Sequence, residues 1–172
     1  MPCFVKPSDG GSSFGVSKVK QLEELLPAIE LAQLHGTEAL IESMVQGIEV
    51  TCGVYSKSGE VKALSITEIV SENDFFDYEA KYQGKSSEIT PARLTDEVTR
   101  KVKEYTIAAY QLLGLKGMSR IDFIIQDDVP YLIEVNTTPG LSEQSIIPQQ
   151  VRYEGLTLSE FFGWCIDSSL SN

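Results

Sequence analysis

Two acidic residues and an amide, Asp122, Glu134 and Asn136, stand in a stretch whose pattern would set them side by side. Ser119 to Gln126 and Pro130 to Asn136 alternate apolar and polar residues around an Asp-Asp pair, which reads as a β-hairpin. A turn centred on Asp128 puts Asp122 opposite Glu134 and Arg120 opposite Asn136. All four then share one face, because side chains two apart on a strand point the same way. Carboxylates facing each other across a ladder repel, so the cluster asks for a cation. Hard oxygen donors suit Mg²⁺, which takes one or two carboxylates and fills its octahedron with water and phosphate oxygens. The same residues could be the solvated face of an amphipathic hairpin, with Ile121, Phe123 and Ile125 turned to a core. The Asn136-Thr137-Thr138-Pro139-Gly140 turn that follows favours a site, since it would present backbone N–H groups beside the ion.

A second cluster lies near the start. Phe4-Val5-Lys6-Pro7 reads as a short strand entering the small-residue loop Ser8 to Gly15. Glycines let backbone N–H groups converge on a ligand and Lys6 adds a point charge, a combination that suits phosphate. The lysine precedes the glycines, so this is not the P-loop pattern. Ala39 to Val45 reads as a buried strand, and Glu42 within it and Glu49 beyond it could accept hydrogen bonds from an adenine amine and a ribose hydroxyl. Ser71 to Arg93 lacks periodicity but carries Phe75, Phe76, Tyr78, Lys81 and Tyr82, which reads as a lid over a ligand.

The elements that must position these residues are legible in outline. Gln21 to Leu34 has a helical apolar stripe with a start near Pro27. Glu49–Tyr55 and Val61–Val70 form a hairpin around Ser56 to Glu60. Leu94 to Leu113 is a helix capped by Thr95 and stopped by Gly114, and Ser145–Tyr153 and Leu158–Ser168 are two further helices. The 172 residues are 42% hydrophobic with a net charge of −11 and a pI near 4.5. That suits a folded domain or two small lobes and argues against nucleic acid or an anionic membrane as partner. Cys3, Cys52 and Cys165 have neither disulfide nor zinc spacing, and reduced thiols fit a cytoplasmic location. No run approaches the roughly 18 apolar residues of a membrane span, and MPCFVKP lacks signal-peptide anatomy. An apolar strand directly after Met1 suggests part of a longer protein.

Four segments in this order carry a resemblance: Lys6-Pro7-Ser8 with Gly11-Ser12-Ser13 and Gly15; Asp77-Tyr78-Glu79-Ala80-Lys81-Tyr82; Gly117-Met118-Ser119-Arg120-Ile121-Asp122; and Glu134-Val135-Asn136-Thr137-Thr138-Pro139-Gly140-Leu141. Together they resemble the C-terminal portion of the D-alanine–D-alanine ligases, within the ATP-grasp superfamily. The resemblance implies an α+β ATP-grasp fold, a mainly antiparallel sheet flanked by helices. Residues 1–47 would be the second half of the central ATP-binding lobe and 48–172 the C-terminal lobe, with a lid at 71–93.

It also implies roles. Lys6, Ser12 and Ser13 would contact ATP phosphates, Glu42 and the backbone of Val45 the adenine, and Glu49 the ribose, with Phe4 and Ile133 sandwiching the base. Asp122, Glu134 and Asn136 would hold two Mg²⁺ or Mn²⁺ ions. Arg120 and the Gly140 N–H would stabilise the tetrahedral oxyanion, with Ser12 and Tyr82 also catalytic. Lys81 would contact ATP and, with Ser145 and the backbone of Ile146, the second substrate's carboxylate. Tyr82, where ligases making D-alanyl-D-lactate tend to carry Phe, tilts the reading toward an amine nucleophile. The implied reaction joins two D-alanines through a D-alanyl phosphate for peptidoglycan synthesis, in a homodimeric enzyme that needs an N-terminal domain beyond this chain. Asp9-Gly10 departs from the bulkier pair common in the family. Other readings stay open: a ligase making D-alanyl-D-lactate or D-alanyl-D-serine, a divalent-cation module without EF-hand spacing, or a metal-dependent phosphatase whose base would have to be His35.

Overall fold

The computed structural model describes residues 2–9, 13–71 and 86–170. The chain divides into two compact units, one of Met1–Val45 and Ser71–Ser86, the other of Gln46–Val70 and Ser87–Asn172.

The first unit is built on strand β1 (Cys3–Pro7), which runs antiparallel to both β2 (Ser17–Val19) and β3 (Ala39–Ser43). Alternation along β1 buries Cys3, Val5 and Pro7 on one face. Helix α1 (Leu25–Gln33) covers that face, and Ala28 and Ala32 complete a small core with Val19. A single 3₁₀ turn, Leu22–Glu24, leads into α1. The Glu24 carboxylate accepts hydrogen bonds from the Lys20 and Gln21 N–H groups at 2.7 and 3.2 Å. Pro27 falls in the first turn of α1, where its missing N–H leaves no bond unmade. The expectation of a buried strand over Ala39–Val45 needs correcting. β3 stops at Ser43 and lies at the sheet's edge, with Leu40 and Ile41 exposed. Its apolar residues fit a pleat with one partner strand, and Val45 lies beyond it.

The second unit carries a five-stranded sheet in the order β6-β5-β4-β7-β8, from β4 (Ile48–Lys57), β5 (Glu60–Ser71), β6 (Ser86–Ile89), β7 (Met118–Gln126) and β8 (Val129–Asn136). β4 is antiparallel to β5 and β7, and β7 to β8. Val50, Cys52 and Val54 of β4 and Ile121, Phe123 and Ile125 of β7 point to one face, where Val98, Val102 and Tyr110 of helix α2 (Asp96–Leu112) close the main core. The Thr95 hydroxyl accepts a hydrogen bond from the Val98 N–H at 3.3 Å, the expected N-cap. Helices α3 (Ile146–Tyr153) and α4 (Leu158–Leu170) pack Ile147, Val151, Phe161 and Cys165 against Tyr55 and Leu64. Helices laid on an antiparallel sheet make the expected α+β fold. β6 corrects one detail, since Ser86–Ile89 is a strand inside the segment expected to lack regular structure. Residues 72–85 of that segment lie outside the described residues.

Candidate active site

The hairpin of β7 and β8 turns on Asp127-Asp128, both with positive φ (51° and 62°), which is the two-residue turn whose twist matches the strands. Gln126 therefore pairs with Val129, not as a turn centred on Asp128 would have it. Continued unbroken, that register would set Asp122 opposite Ile133. A one-residue shift between Asp122 and Phe123 intervenes, Phe123 pairing with Leu132 and Asp122 with Glu134. Ile133 is the extra residue of this bulge. The expected pairs, Asp122 with Glu134 and Arg120 with Asn136, are both present.

Asp122 is the hub of the site. Its Oδ1 accepts hydrogen bonds from Thr51 Oγ1 at 2.5 Å and Arg120 Nε at 3.0 Å, and its Oδ2 accepts from Arg120 Nη2 at 3.0 Å and Asn136 Nδ2 at 2.9 Å. Four donor contacts from three side chains converge on its two carboxylate oxygens. The two Arg120 bonds form the planar fork characteristic of guanidinium and carboxylate. Both side chains are about four-fifths buried, with relative exposures of 21% and 20%. Burial works against the Arg120 charge, but the bonds and charge of Asp122 outweigh it, and the guanidinium is held above its ordinary pKa.

Thr51 belongs to β4, directly across from Asp122, and Gly53 lies across from Arg120. Glu49 is two residues before Thr51 and shares its face, so the structure puts Glu49, Asp122, Arg120 and Glu134 on one surface. Past the hairpin, Gly140 lies against Ser145, whose Oγ would be 2.9 Å from a Cβ added there. Ser145 is the N-cap of α3, its N–H bonded to the Ser142 carbonyl at 2.9 Å, and Ile146 opens the helix.

In the first unit Phe4 pairs across to Glu42, and Lys6 reaches diagonally to Glu42 with Nζ at 2.7 Å from Oε2. Phe4, Lys6 and Glu42 thus share the β1–β3 face away from α1, and Lys18, opposite Phe4, joins them. Asp9 fastens the loop after β1 by accepting hydrogen bonds from Thr37 N and Oγ1 at 3.0 and 3.2 Å. These bonds, the backbone one first, hold the Asp9 carboxyl below its usual pKa. Ser13 has a φ of 60°. Ser12, Lys81 and Tyr82 fall outside the described residues. His35 is exposed and stacks on Phe14 with ring centroids 6.2 Å apart.

Thr51 was not foreseen, because the partner of β7 is not written in β7. Lys18 and the buried amide of Gln150 were also missed. For Gln150 a signal existed: Ile147, Gln150 and Val151 fall on one helical face, and a polar residue there must find partners. Burial pushes the Cys52 thiol up to about 12 and that of Cys165 to about 11, so neither is a thiolate at neutral pH. Among the described residues no group of three or more His, Cys, Asp or Glu side chains stands ready for a metal. The hairpin set is two carboxylates and an amide.

Comparison with known proteins gives this surface its kin. Residues 1–166 match the family model described as D-ala D-ala ligase C-terminus. Among curated relatives, the D-alanine–D-alanine ligase of Flavobacterium johnsoniae is 56% identical over 99% of this chain, and that of Christiangramia forsetii 48% identical over 99%. Among solved structures, the VanG D-Ala:D-Ser ligase of Enterococcus faecalis superposes with a TM-score of 0.85 at 35% identity, covering 99% of this chain and 50% of that one. A Bacillus anthracis D-alanine–D-alanine ligase gives 0.80 at 32% identity, covering 99% and 54%. The chain spans about half the length of the relatives it matches, 53% and 52% for the two named. By family match, sequence and fold, it belongs to the D-alanine–D-alanine ligase C-terminal family and has the ATP-grasp architecture of those enzymes.

Proposed function

We propose that this chain is the nucleotide- and metal-holding part of a cytoplasmic ligase that joins two D-alanines to D-alanyl-D-alanine with ATP, for peptidoglycan precursor synthesis. One observation carries the reading: Asp122, Glu134 and Asn136 sit together with Arg120 locked beside them, in a chain of this family. A solved Bacillus anthracis relative, 26% identical, is complexed with ATP. Residues 1–47 act as the second half of the central ATP-binding lobe and 48–172 as the C-terminal lobe with the lid.

The first D-alanine's carboxylate oxygen attacks the γ-phosphorus of ATP, breaking the bond to the bridging oxygen and leaving D-alanyl phosphate and ADP. The amine of the second D-alanine then attacks the acyl carbon, loses a proton, and phosphate departs with the C–O bond electrons. Phe4 and Ile133 stack on the base, and Glu42, the Val45 backbone and Glu49 hold adenine and ribose. Lys6, Ser12 and Ser13 hold the phosphates, Lys81 contacts ATP and the second substrate's carboxylate, and Ser12 and Tyr82 take part in catalysis. The hard oxygens of Asp122, Glu134 and Asn136 fit Mg²⁺ or Mn²⁺ in kind and number, with Asn136 presenting its amide oxygen. Two such ions would neutralise the phosphate oxygens when bound. Two of the five N–H donors of Arg120 go to Asp122, which fixes the guanidinium plane for the oxyanion. The Gly140 N–H supplies a second donor, and Ser145, with the Ile146 backbone, binds the second carboxylate. The N-terminal half that the relatives possess completes the site, and the full enzyme is a homodimer. The 172 residues alone make no dipeptide.

Incubating the full-length protein with ATP, Mg²⁺ and D-alanine, and following phosphate release together with dipeptide mass, tests the reading. D-alanyl-D-alanine and phosphate in equal amounts are expected. ATP hydrolysis without dipeptide would contradict it, and a mixed product formed preferentially with D-serine or D-lactate would reassign the second substrate.

A further inference from the structure

Gln150 is wholly buried, and its side-chain amide bonds to strands β4 and β5. Its Oε1 accepts a hydrogen bond from the Gly53 N–H at 3.0 Å, and its Nε2 donates to the Thr51 carbonyl at 3.1 Å and to Thr67 Oγ1 at 3.0 Å. The location explains the need. Between Cys52 and Val54 the β4–β5 ladder shifts register, so Gly53 faces two residues of β5 where a regular ladder has one. The amide fills that gap and satisfies backbone groups the bulge leaves out. Gly53 makes room: a Cβ there would stand 2.6 Å from Gln150 Oε1, 2.6 Å from Ile147 Cδ1 and 2.8 Å from Leu64 Cδ1.

Thr51, whose carbonyl Gln150 binds, gives its own hydroxyl to Asp122, and Gly53 is the strand partner of Arg120. Thr67 in turn shares a 2.7 Å hydrogen bond with Thr90, just past β6. Gln149 adds a second tie, donating to Glu88 of β6 at 2.6 Å and to the Gln144 carbonyl at 2.7 Å. Helix α3, which begins at Ser145-Ile146, is thereby tied to the backbone that fixes Asp122.

We propose that Gln150 is a positioning residue: it sets the start of α3, hence Ser145 and Ile146, against the Thr51–Asp122 pair, and so fixes the second substrate's carboxylate relative to the reacting phosphoryl group. What is held at Ser145-Ile146 rests on the function proposed above; the mechanical tie does not. The test uses three variants of the full-length protein. Gln150→Met keeps the volume and loses all three bonds. Gln150→Glu is the conservative rescue, because burial favours its protonated form, which keeps an acceptor and one donor. Thr67→Val removes one of the three Gln150 bonds, together with the Thr67–Thr90 bond, and guards against a Met variant that does not fold.

For Gln150→Met, KM for the second D-alanine rises by roughly ten-fold or more while KM for ATP stays within about two-fold, since small misplacements of a bound reactant are felt strongly in rate. Gln150→Glu falls between it and the parent, Thr67→Val shows a smaller rise of the same kind, and a crystal structure of the Met variant shows Ser145-Ile146 displaced from Thr51. A lowered melting temperature with both KM values unchanged, or raised equally, would overturn the proposal. If the parent protein makes no dipeptide, the proposed function fails by itself. Displacement of Ser145-Ile146 in the crystal then supports the tie, and its absence removes it.

Discussion

The two units treat their charged residues differently. In the five-stranded sheet Asp122 accepts from three side chains on three strands, with four-fifths of its surface buried, and Gln150 braces the strand behind it. In the three-stranded sheet Lys6 meets Glu42 on an edge strand, with 24% and 37% of their side chains exposed. The first arrangement is pre-set and disruptive to break. The second sits where water screens the pair, so its residues can turn to a ligand at little expense to the fold.

That contrast can be broken by substitution. Asp122→Asn should have the largest effect. It leaves Arg120 without its counter-charge in a mostly buried place and should lower stability by about 3 kcal/mol, read by urea denaturation. Dipeptide synthesis should fall by roughly 10³-fold, as when a group aimed at transition-state charge is lost.

Glu68→Gln sharpens the comparison within the five-stranded unit. Glu68 is buried and accepts from Arg93 Nε, Nη2 and N at 2.9, 2.6 and 3.1 Å, which holds its carboxyl below the ordinary 4.5. A carboxyl lowered in the folded state stabilises above its unfolded pKa, and that stability is lost as pH falls through the folded value. The variant should be less stable at pH 7 by about 2 kcal/mol. Below pH 4.5 the gap should narrow, a trend that denaturation at several pH values would reveal.

Glu42→Gln should be the mildest for the fold, shifting stability by less than about 1 kcal/mol because the pair is partly exposed. ATP affinity measured by calorimetry should nevertheless drop several-fold. A loss of stability rivalling that of Asp122→Asn would erase the contrast between the units.

How far the sequence reached follows the same division. Alternation over Ser119–Asn136 announced the hairpin and the residues facing each other at its site, yet the turn lies half a step from where a centre at Asp128 would put it. The bulge at Ile133 restores the pairing, and nothing in an alternating string marks a bulge. The Thr95 cap and the α2 stripe were local signals and were legible. β3 was misjudged as buried because an apolar run such as Ala39-Leu40-Ile41 looks alike at a sheet's centre and at its edge. Thr51 and Gln150 act through register and helix packing, both of which arise only when distant segments meet. The roles inferred from family resemblance drew on whole motifs, which is why they extended to Ser145 and Ile146, where composition offers no hint.

The central claim is that Asp122, Glu134 and Asn136 together hold a divalent ion on the phosphates of ATP. Titrating Mn²⁺ into the full-length protein with ATP, and counting bound ion by electron paramagnetic resonance, tests it directly against Glu134→Gln. Glu134 is exposed, so the fold should be indifferent to the change. Binding weakened by roughly ten-fold or more, with unfolding unaltered, is the predicted result. Equal Mn²⁺ binding by the variant and the parent would contradict the account.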